Sequence, residues 1–320
     1  MIFNGRRNKS KHIDKLQQQQ PYEAPINVRQ ICNLPYGTRG LMTDYYEPMA
    51  LVRGEAAPDR SAMHVAIVVH DNPYEGTRYD AAPLAMEMAR RGMAVFVPSL
   101  SEGVEGNPFF MQQIADLLAL LSDIGADRHH LHLVPETYGR AGNKVVLVGC
   151  GTGAMLAGVC LRLHHDARAR DYFGEQCPAV RDYFSMGATP TVDFEPLVRI
   201  GGFVSMSGNV HPMGDSYVYN YDRWLGRGFT AAKIYTYLDF SRWFALDYPP
   251  VLLVAGGADT NLDEARSVMA AAPAGAVRLL ELPREDAEGH VLENLFWARY
   301  PLWEKSKEVN SQIVTYIRNL

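Results

Sequence analysis

A chain of 320 residues with 47% hydrophobic and 21% charged residues has the composition of a globular protein that can bury a sizeable core. Its net charge of -5 gives no electrostatic reason to expect nucleic-acid binding. Its four cysteines lack C-x-x-C spacing, which argues against a zinc-type site and a dense disulfide framework. We therefore expect no metal and no cofactor.

Residues 1–34 are predicted to form a basic, glutamine-rich N-terminal extension. The cations in residues 1–20 are Arg6, Arg7, Lys9, Lys11 and Lys15, and the single acid there is Asp14. This balance weakly resembles a mitochondrial presequence, so we expect a mitochondrial protein, with a cytoplasmic one as the alternative. No apolar run approaches the roughly 20 residues of a membrane helix, and no secretory leader is recognised, so no transmembrane segment is expected.

Strand and helix patterns alternate along residues 35–320, which are predicted to form one α/β domain. Aromatic residues and prolines in residues 35–48 predict an edge hairpin. The continuous apolar run 64–69 predicts a strand that is buried on both faces. A helical pattern over residues 80–91 and a strand at 94–98 complete a βαβ unit.

The same alternation continues to the end of the domain. Helices are predicted at residues 110–124, 154–164 and 302–320, and strands at residues 144–148, 202–206, 251–255 and 277–282. Alternating strands and helices imply a mainly parallel sheet with helices on both faces. Residues 168–199 and 217–247 interrupt this alternation and are predicted to be lid or cap insertions.

The second insertion is rich in aromatic residues, which could line a pocket or an interface or could simply pack the cap. They are Tyr217, Tyr219, Tyr221, Trp224, Phe229, Tyr235, Tyr237, Phe240, Trp243 and Phe244. Three histidines, His129, His130 and His132, lack the carboxylate or cysteine spacing of a metal site and are expected to lie in a polar loop.

Residues 145–154, VVLVGCGTGA, predict a buried strand, a tight glycine-lined turn and a helix. Further landmarks along the chain are Tyr36-Gly37, Asp44-Tyr45, His70, Asp259 and His290. In this order they resemble the α/β-hydrolase superfamily, in its branch of small carboxylesterases, arylformamidases and prenylcysteine methylesterases. The resemblance covers roughly residues 36–316 and implies the α/β-hydrolase fold.

The resemblance implies a triad whose nucleophile, acid and base come in that order along the chain. Gly151 stands at the nucleophile position of the G-x-S-x-G elbow, Asp259 at the acid position and His290 at the base position. A glycine there offers no hydroxyl from which a histidine could take a proton. These three residues are therefore expected to be a vestigial triad.

The loop His70-Asp71-Asn72-Pro73 lies where similar esterases carry an H-G-G-G-like oxyanion loop. Pro73 has no N–H to donate, and a carboxylate at Asp71 could oppose negative charge on the substrate. Together with Gly151, this loop favours a catalytically inactive hydrolase-fold protein. Such a protein is expected to act as a structural or binding subunit of a multiprotein assembly, with a small-molecule ligand in the vestigial pocket as a further expectation.

Two alternatives remain open. The first is a carboxylic ester or amide hydrolase that uses Cys150 or an activated water with Asp259 and His290. A nucleophile at Cys150, however, would place Val148 and Thr152 at turn positions that need small residues. The second is a dinucleotide-binding protein, because Gly149-x-Gly151-x-x-Ala154 fits the loose glycine pattern. That reading needs an acid after the next strand, whereas residues 161–166 resemble a helix end.

Two hydroxyl residues near these strand ends have simpler interpretations. Thr152 is expected to cap the helix that follows the elbow. Ser207 is expected to be a polar residue at the end of a strand rather than a nucleophile.

Overall fold

The computed structural model describes residues 25–50, 59–73, 76–102, 109–133, 145–185, 198–210, 221, 224–226, 228, 233–243 and 247–320. The basic segment 1–24 lies outside these residues, so the mitochondrial location stays a prediction. The aromatic residues Tyr217, Tyr219, Phe229 and Phe244 also lie outside them. Among the described residues, no helix combines the length and apolarity needed to cross a bilayer.

Eight strands form one sheet. They are β1 Val28–Tyr36, β2 Leu41–Pro48, β3 Val65–Val69, β4 Ala94–Pro98, β5 Val145–Cys150, β6 Ile200–Met206, β7 Val251–Ala255 and β8 Val277–Glu281. Their spatial order is β1-β2-β4-β3-β5-β6-β7-β8, and all pairs from β4 to β8 are parallel. The antiparallel pair β1 and β2 forms the expected hairpin at one edge. Because β1 begins at Val28, the sheet starts before residue 35.

Nine helices lie entirely within the described residues. They are α1 Ala82–Arg90, α2 Phe110–Gly125, α3 Gly153–His165, α4 Ala167–Gln176, α5 Pro178–Ser185, α6 Lys233–Leu238, α7 Leu262–Ala271, α8 Phe296–Arg299 and α9 Glu304–Arg318. Short 3-10 turns occur at Arg60–Ala62, Arg78–Ala81 and Phe240–Arg242. The predicted helices and strands of the core are thus present, with ends that agree to within two residues.

The central strands are apolar on both faces because helices cover both sides of the sheet. In β3, Val65, Ile67 and Val69 join one apolar cluster, while Ala66 and Val68 join the other. Successive strand residues point to opposite faces, so this alternation separates two layers of core. The continuous run of apolar residues in β3 therefore reflects burial on both sides.

The described parts of the two interruptions pack against the core rather than stand apart from it. Helices α4 and α5 contribute Phe173 and Val180 to the first apolar cluster, and the second interruption contributes Trp224 and Phe240. The Phe240 and Trp243 rings stack with centroids 3.8 Å apart. The described aromatic residues of this region therefore serve mainly as core. The division into extension, domain and caps otherwise stays a prediction.

Candidate active site

The parallel pairing of β3 and β5 brings two loops together at the carboxyl edge of the sheet. Val69 pairs with Gly149 at the end of the register, so the His70–Pro73 loop and the turn after β5 leave the sheet side by side. Ligands of open α/β sheets bind in crevices beyond the carboxyl ends of strands. This edge is therefore the candidate active site.

The turn after β5 has the predicted geometry of a strand-to-helix elbow. Gly151 has φ +52°, in the left-handed region that favours glycine, and α3 begins at Gly153. A Cβ on residue 153 would overlap the carbonyl oxygen of His70. Residue 153 must therefore be glycine for the His70 loop to lie this close to the start of α3. The helix start and the loop after β3 are consequently in direct contact.

The Asp71 carboxylate stands over the elbow. Its Oδ1 accepts hydrogen bonds from the backbone N–H of Thr152 at 2.9 Å and from that of Asn72 at 2.7 Å. A Cβ built on Gly151 would overlap this carboxylate. The side-chain position that is empty at Gly151 is therefore filled by a carboxylate from the adjacent loop, at the positive end of α3.

Asp71 is accessible and has a cation beside it. About a third of its side chain, 35%, is exposed, and its Oδ2 lies 4.0 Å from Nη2 of Arg299 in α8. Arg299 was not among the site residues that the sequence suggested. Only the packing of the α8 segment beside the β3 loop could have revealed it, because 228 positions separate it from Asp71 along the chain.

The rest of the predicted oxyanion loop is arranged around Asp71. His70 is buried, and its Nδ1 donates to the carbonyl oxygen of Asp71 at 2.9 Å. Burial lowers the pKa of His70 below its ordinary value, which favours the neutral ring. Asn72 has φ +51°, in the left-handed region, and its N–H donates to Oδ1 of Asp71 at 2.7 Å.

Cys150 is poorly suited to act as a nucleophile. Its side chain is buried, and burial raises the pKa of its thiol, with a smaller contribution from the negative charge of Asp71. A thiolate is the reactive form of cysteine, and this environment disfavours it. The structure therefore gives the Cys150 alternative no support.

Asp259 lies at the end of β7 in a nearly closed polar site. Its Oδ2 accepts hydrogen bonds from Oγ of Ser207 at 2.6 Å and from the N–H of Gly256 at 2.7 Å, and its Oδ1 accepts one from the N–H of Asn294 at 2.6 Å. Burial raises the pKa of Asp259, and these hydrogen bonds partly oppose that rise. Ser207 thus has a clear structural partner, as its strand-end position suggested.

A chain of side-chain amides connects this site to the elbow. Asn209 Nδ2 donates to Oγ1 of Thr152 at 3.3 Å, and Asn261 Nδ2 donates to Oδ1 of Asn209 at 3.2 Å and to the carbonyl oxygen of Ser207 at 2.5 Å. Thr152 makes no side-chain capping bond at the start of α3. Thr152 is the N-cap residue of α3, as its position suggested, but its hydroxyl oxygen accepts from Asn209 and not from a backbone N–H of the helix.

His290 has a different carboxylate partner from the one expected for a triad. Its Nδ1 donates to Oδ2 of Asp286 at 2.8 Å, and its ring stacks on that of Trp303 with centroids 4.2 Å apart. No hydrogen bond among the described residues joins His290 to Asp259. The structure therefore brings Asp71 to Gly151 and Thr152, but it does not join Asp259 to His290.

The described residues add nothing to the dinucleotide interpretation. Helix α3 continues to His165, and Asp166 is the residue between α3 and α4. Its carboxylate accepts from the N–H of Arg168 at 3.0 Å and so caps α4. An acid at the end of a second strand, which ribose recognition would need, is not found in this stretch.

The predicted polar loop around the three histidines is observed. His130 and His132 both have positive φ, and His132 pairs through Nδ1 with Oδ2 of Asp127 at 3.0 Å. The ring of His132 is largely exposed.

The sequence matches no protein-family model and no curated protein. Solved structures do match it over nearly its whole length. An inhibited esterase B from Lactobacillus rhamnosis matches with a TM-score of 0.72 and 18% identity, covering 97% of this chain and 92% of that one. A bacterial heroin esterase matches with a TM-score of 0.61 and 16% identity, covering 98% and 90%.

An esterase of the bacterial hormone-sensitive lipase family matches with a TM-score of 0.62 and 15% identity, covering 97% of this chain and 89% of that one. The prediction of a catalytically inactive structural subunit is wrong, since the matched proteins are esterases. It rested on the missing side chain at Gly151 and on the His70–Pro73 loop, and the sequence did not reveal that Asp71 of that loop covers Gly151. These likenesses and the mostly parallel eight-stranded sheet, with helices around it, show that the chain has the α/β-hydrolase fold.

Proposed function

We propose that this protein is a carboxylic-ester hydrolase in which Asp71 acts as the general base for an attacking water molecule. One observation carries the proposal: the partly exposed Asp71 carboxylate covers Gly151, at the position where hydrolases of this fold hold a nucleophile. The esterase names of the matched structures support the reaction class. We also propose that Gly151 occupies the position at which related hydrolases carry their nucleophile.

The missing hydroxyl at Gly151 makes a covalent intermediate on that residue impossible. Water must therefore attack the ester carbonyl carbon directly, and Asp71 accepts the proton that the water loses. As the tetrahedral intermediate collapses, the bond between the carbonyl carbon and the alcohol oxygen breaks. The proton on Asp71 passes to the departing alkoxide, so one ester and one water give one carboxylic acid and one alcohol.

Two groups near Asp71 can offset the negative charge that develops on the carbonyl oxygen. The N–H of Thr152 follows the elbow residue, which is the position of an oxyanion donor in this fold. Its hydrogen bond to Asp71 Oδ1 weakens when Asp71 accepts a proton, because a neutral carboxyl is a poorer acceptor. Arg299 supplies a positive charge near Oδ2.

The other residues suggested by the sequence have weaker support in this reaction. Cys150 is buried with a raised thiol pKa, and the oxygens of Asp259 accept hydrogen bonds from Ser207 and two backbone amides. A role of His290 as base stays a prediction, because its carboxylate partner is Asp286. The proposed reaction does not require a proton transfer through any of these side chains.

The test is hydrolysis of p-nitrophenyl acetate, butyrate and hexanoate by the full chain. We expect measurable turnover by the wild type and a fall of at least about 100-fold in kcat in Asp71→Asn, the usual scale for loss of a general base. The asparagine side chain of this variant keeps an acceptor oxygen but cannot take the proton. Asp263→Asn is the matched control, because Asp263 is an exposed carboxylate that pairs with Arg266 on α7.

A second arm separates base catalysis from a merely structural role. Asp71→Gly removes the carboxylate, and added formate is expected to restore part of the lost rate by supplying another one. Formate should not accelerate Asp71→Asn, in which the amide still fills the position. An inactive wild type, or an Asp71→Asn enzyme that is as fast as Asp263→Asn, would overturn the proposal.

A further inference from the structure

The loop after β8 gathers three side chains of metal-ligand type around one imidazole nitrogen. Nδ1 of His290 lies 2.8 Å from Oδ2 of Asp286 and 3.6 Å from Oε2 of Glu288. One ligand atom of each residue lies within 4.8 Å of the other two. No other such group was found among the described residues.

We infer that Asp286, Glu288 and His290 form a binding site for Zn²⁺, separate from the proposed reaction at Asp71. Zn²⁺ takes one imidazole nitrogen and carboxylate oxygens at about 2.0 to 2.2 Å, which places two ligands of a tetrahedral ion roughly 3.4 Å apart. The observed separations of 2.8 Å and 3.6 Å lie on either side of that distance. Glu288 is largely exposed, so its side chain can rotate to bring the third ligand into place.

Charge balance supports a divalent cation at this position. Two carboxylates face one imidazole nitrogen, and a neutral imidazole can give only one proton, to one of them. With the imidazole proton on Nε2, a divalent cation would accept the Nδ1 lone pair and neutralise both carboxylates. The mixed nitrogen and oxygen ligand set suits Zn²⁺ better than Ca²⁺ or Mg²⁺, which prefer oxygen ligands.

The backbone already holds the loop in the required shape. Asp286 Oδ1 accepts the N–H groups of Glu288 at 2.9 Å and His290 at 2.8 Å, which leaves Oδ2 directed at the imidazole. The N–H of Asp286 donates to the carbonyl oxygen of His290 at 3.0 Å and closes the turn. Trp303 stacks on the ring of His290 and fixes its plane.

The chain contains a matched control for this geometry. His132 Nδ1 lies 3.0 Å from Oδ2 of Asp127, whose Oδ1 accepts the N–H groups of Leu131 and His132. This loop repeats the pairing of a histidine with an aspartate that caps its own turn. It is not part of a three-ligand group among the described residues, so it tests whether the third ligand matters.

The experiment is calorimetric titration of the full chain, first treated with a chelator, with Zn²⁺. We expect one Zn²⁺ at this site, with an affinity that falls at least about tenfold in Glu288→Gln and in His290→Ala. The Glu288 side chain is largely exposed, and none of the hydrogen bonds described above involves its carboxylate. Glu288→Gln should therefore remain folded. His132→Ala should leave the affinity unchanged.

Trp303 provides an optical readout that does not depend on catalysis. Co²⁺ bound beside His290 should quench the Trp303 emission, and the quenching should disappear in Trp303→Phe, which keeps an aromatic ring against His290. Undetectable Zn²⁺ binding, binding that Glu288→Gln and His290→Ala leave intact, or binding that His132→Ala removes would each overturn the inference. Because both measurements omit an ester substrate, they can succeed even where hydrolysis fails.

Discussion

Asp71 and Asp259 are two carboxylates at the same edge of the sheet with opposite surroundings. Asp71 follows β3, is 35% exposed in its side chain and has a guanidinium nearby. Asp259 follows β7, is 9% exposed and accepts hydrogen bonds from a serine hydroxyl and two backbone amides. The carboxylate at the acid position of the expected vestigial triad is enclosed, whereas the carboxylate that was expected to oppose negative charge on the substrate is accessible.

The largest effect on folding should come from removing the enclosed carboxylate. Asp259→Ala leaves the Ser207 hydroxyl and the N–H groups of Gly256 and Asn294 without their acceptor. Each unsatisfied buried donor costs about 1 to 3 kcal/mol, so we expect a loss of about 3 kcal/mol or more in the free energy of unfolding. Urea unfolding monitored by circular dichroism measures it. A loss below about 1 kcal/mol would remove the structural half of the comparison.

The contrast between the two acids also shows how far the sequence could predict this site. The elbow was predictable because a strand-length apolar run leads directly into Gly149, Gly151 and Gly153. The position of Asp71 over Gly151 was not, because it depends on the pairing of β3 with β5 and on the turn at Asn72. Local patterns locate strand ends, but the orientation of a side chain across two loops is a tertiary property.

The partners of Asp259 and His290 were hidden for the same reason. Ser207 and Asp259 are 52 positions apart, and they meet only because β6 and β7 are neighbours in the sheet. The spacing of Asp286, Glu288 and His290 was visible, but their convergence depends on the backbone bonds that close the loop and on Gly289, which has φ +81°. The sequence therefore predicted the fold more completely than the contacts of the candidate site.

A double substitution tests whether Asp71 really occupies the elbow. In Gly151→Ser the new Cβ would overlap the Asp71 carboxylate, and serine must also adopt φ +52°. We expect Gly151→Ser alone to lose about 2 kcal/mol in the free energy of unfolding, from crowding and backbone strain. Adding Asp71→Gly should recover the part due to crowding.

The informative quantity is the coupling between the two changes, measured by chemical unfolding of the wild type, both single variants and the double variant. Residues in contact commonly show coupling of about 0.5 to 3 kcal/mol, whereas independent sites add within about 0.5 kcal/mol. Additive changes would mean that Asp71 does not stand over residue 151 in solution.

The pH dependence of stability should distinguish the enclosed carboxylate. Burial raises the pKa of Asp259 in the folded state above its ordinary value of 3.8. Between 3.8 and the raised pKa, the folded state binds more protons than the unfolded state, so the Asp259 contribution to stability falls as pH rises. Below 3.8 the carboxyl is protonated in both states, and this contribution is constant.

Unfolding of the wild type and Asp259→Asn in urea from about pH 3.5 to about pH 7 measures that contribution. The wild type should lose stability relative to Asp259→Asn as pH rises, because other titrating groups are common to both proteins and largely cancel in the difference. A difference that stays flat would show that hydrogen bonding balances burial at Asp259, and one that changes in favour of the wild type as pH rises would show that hydrogen bonding outweighs it.

The smallest effect on folding should come from the residue with the largest proposed effect on the reaction. Asp71→Asn keeps an oxygen that can accept from the N–H groups of Thr152 and Asn72, and the side chain is partly exposed. The lost pairing with Arg299 is also partly solvated and is worth at most about 1 kcal/mol. We therefore expect the free energy of unfolding to change by less than about 1 kcal/mol, as measured by urea unfolding beside Asp263→Asn. Should Asp71→Asn instead destabilise the fold as much as Asp259→Ala does, Asp71 would be another structural acid. In that case a slow Asp71→Asn enzyme would reflect damage to the fold and not the loss of a general base.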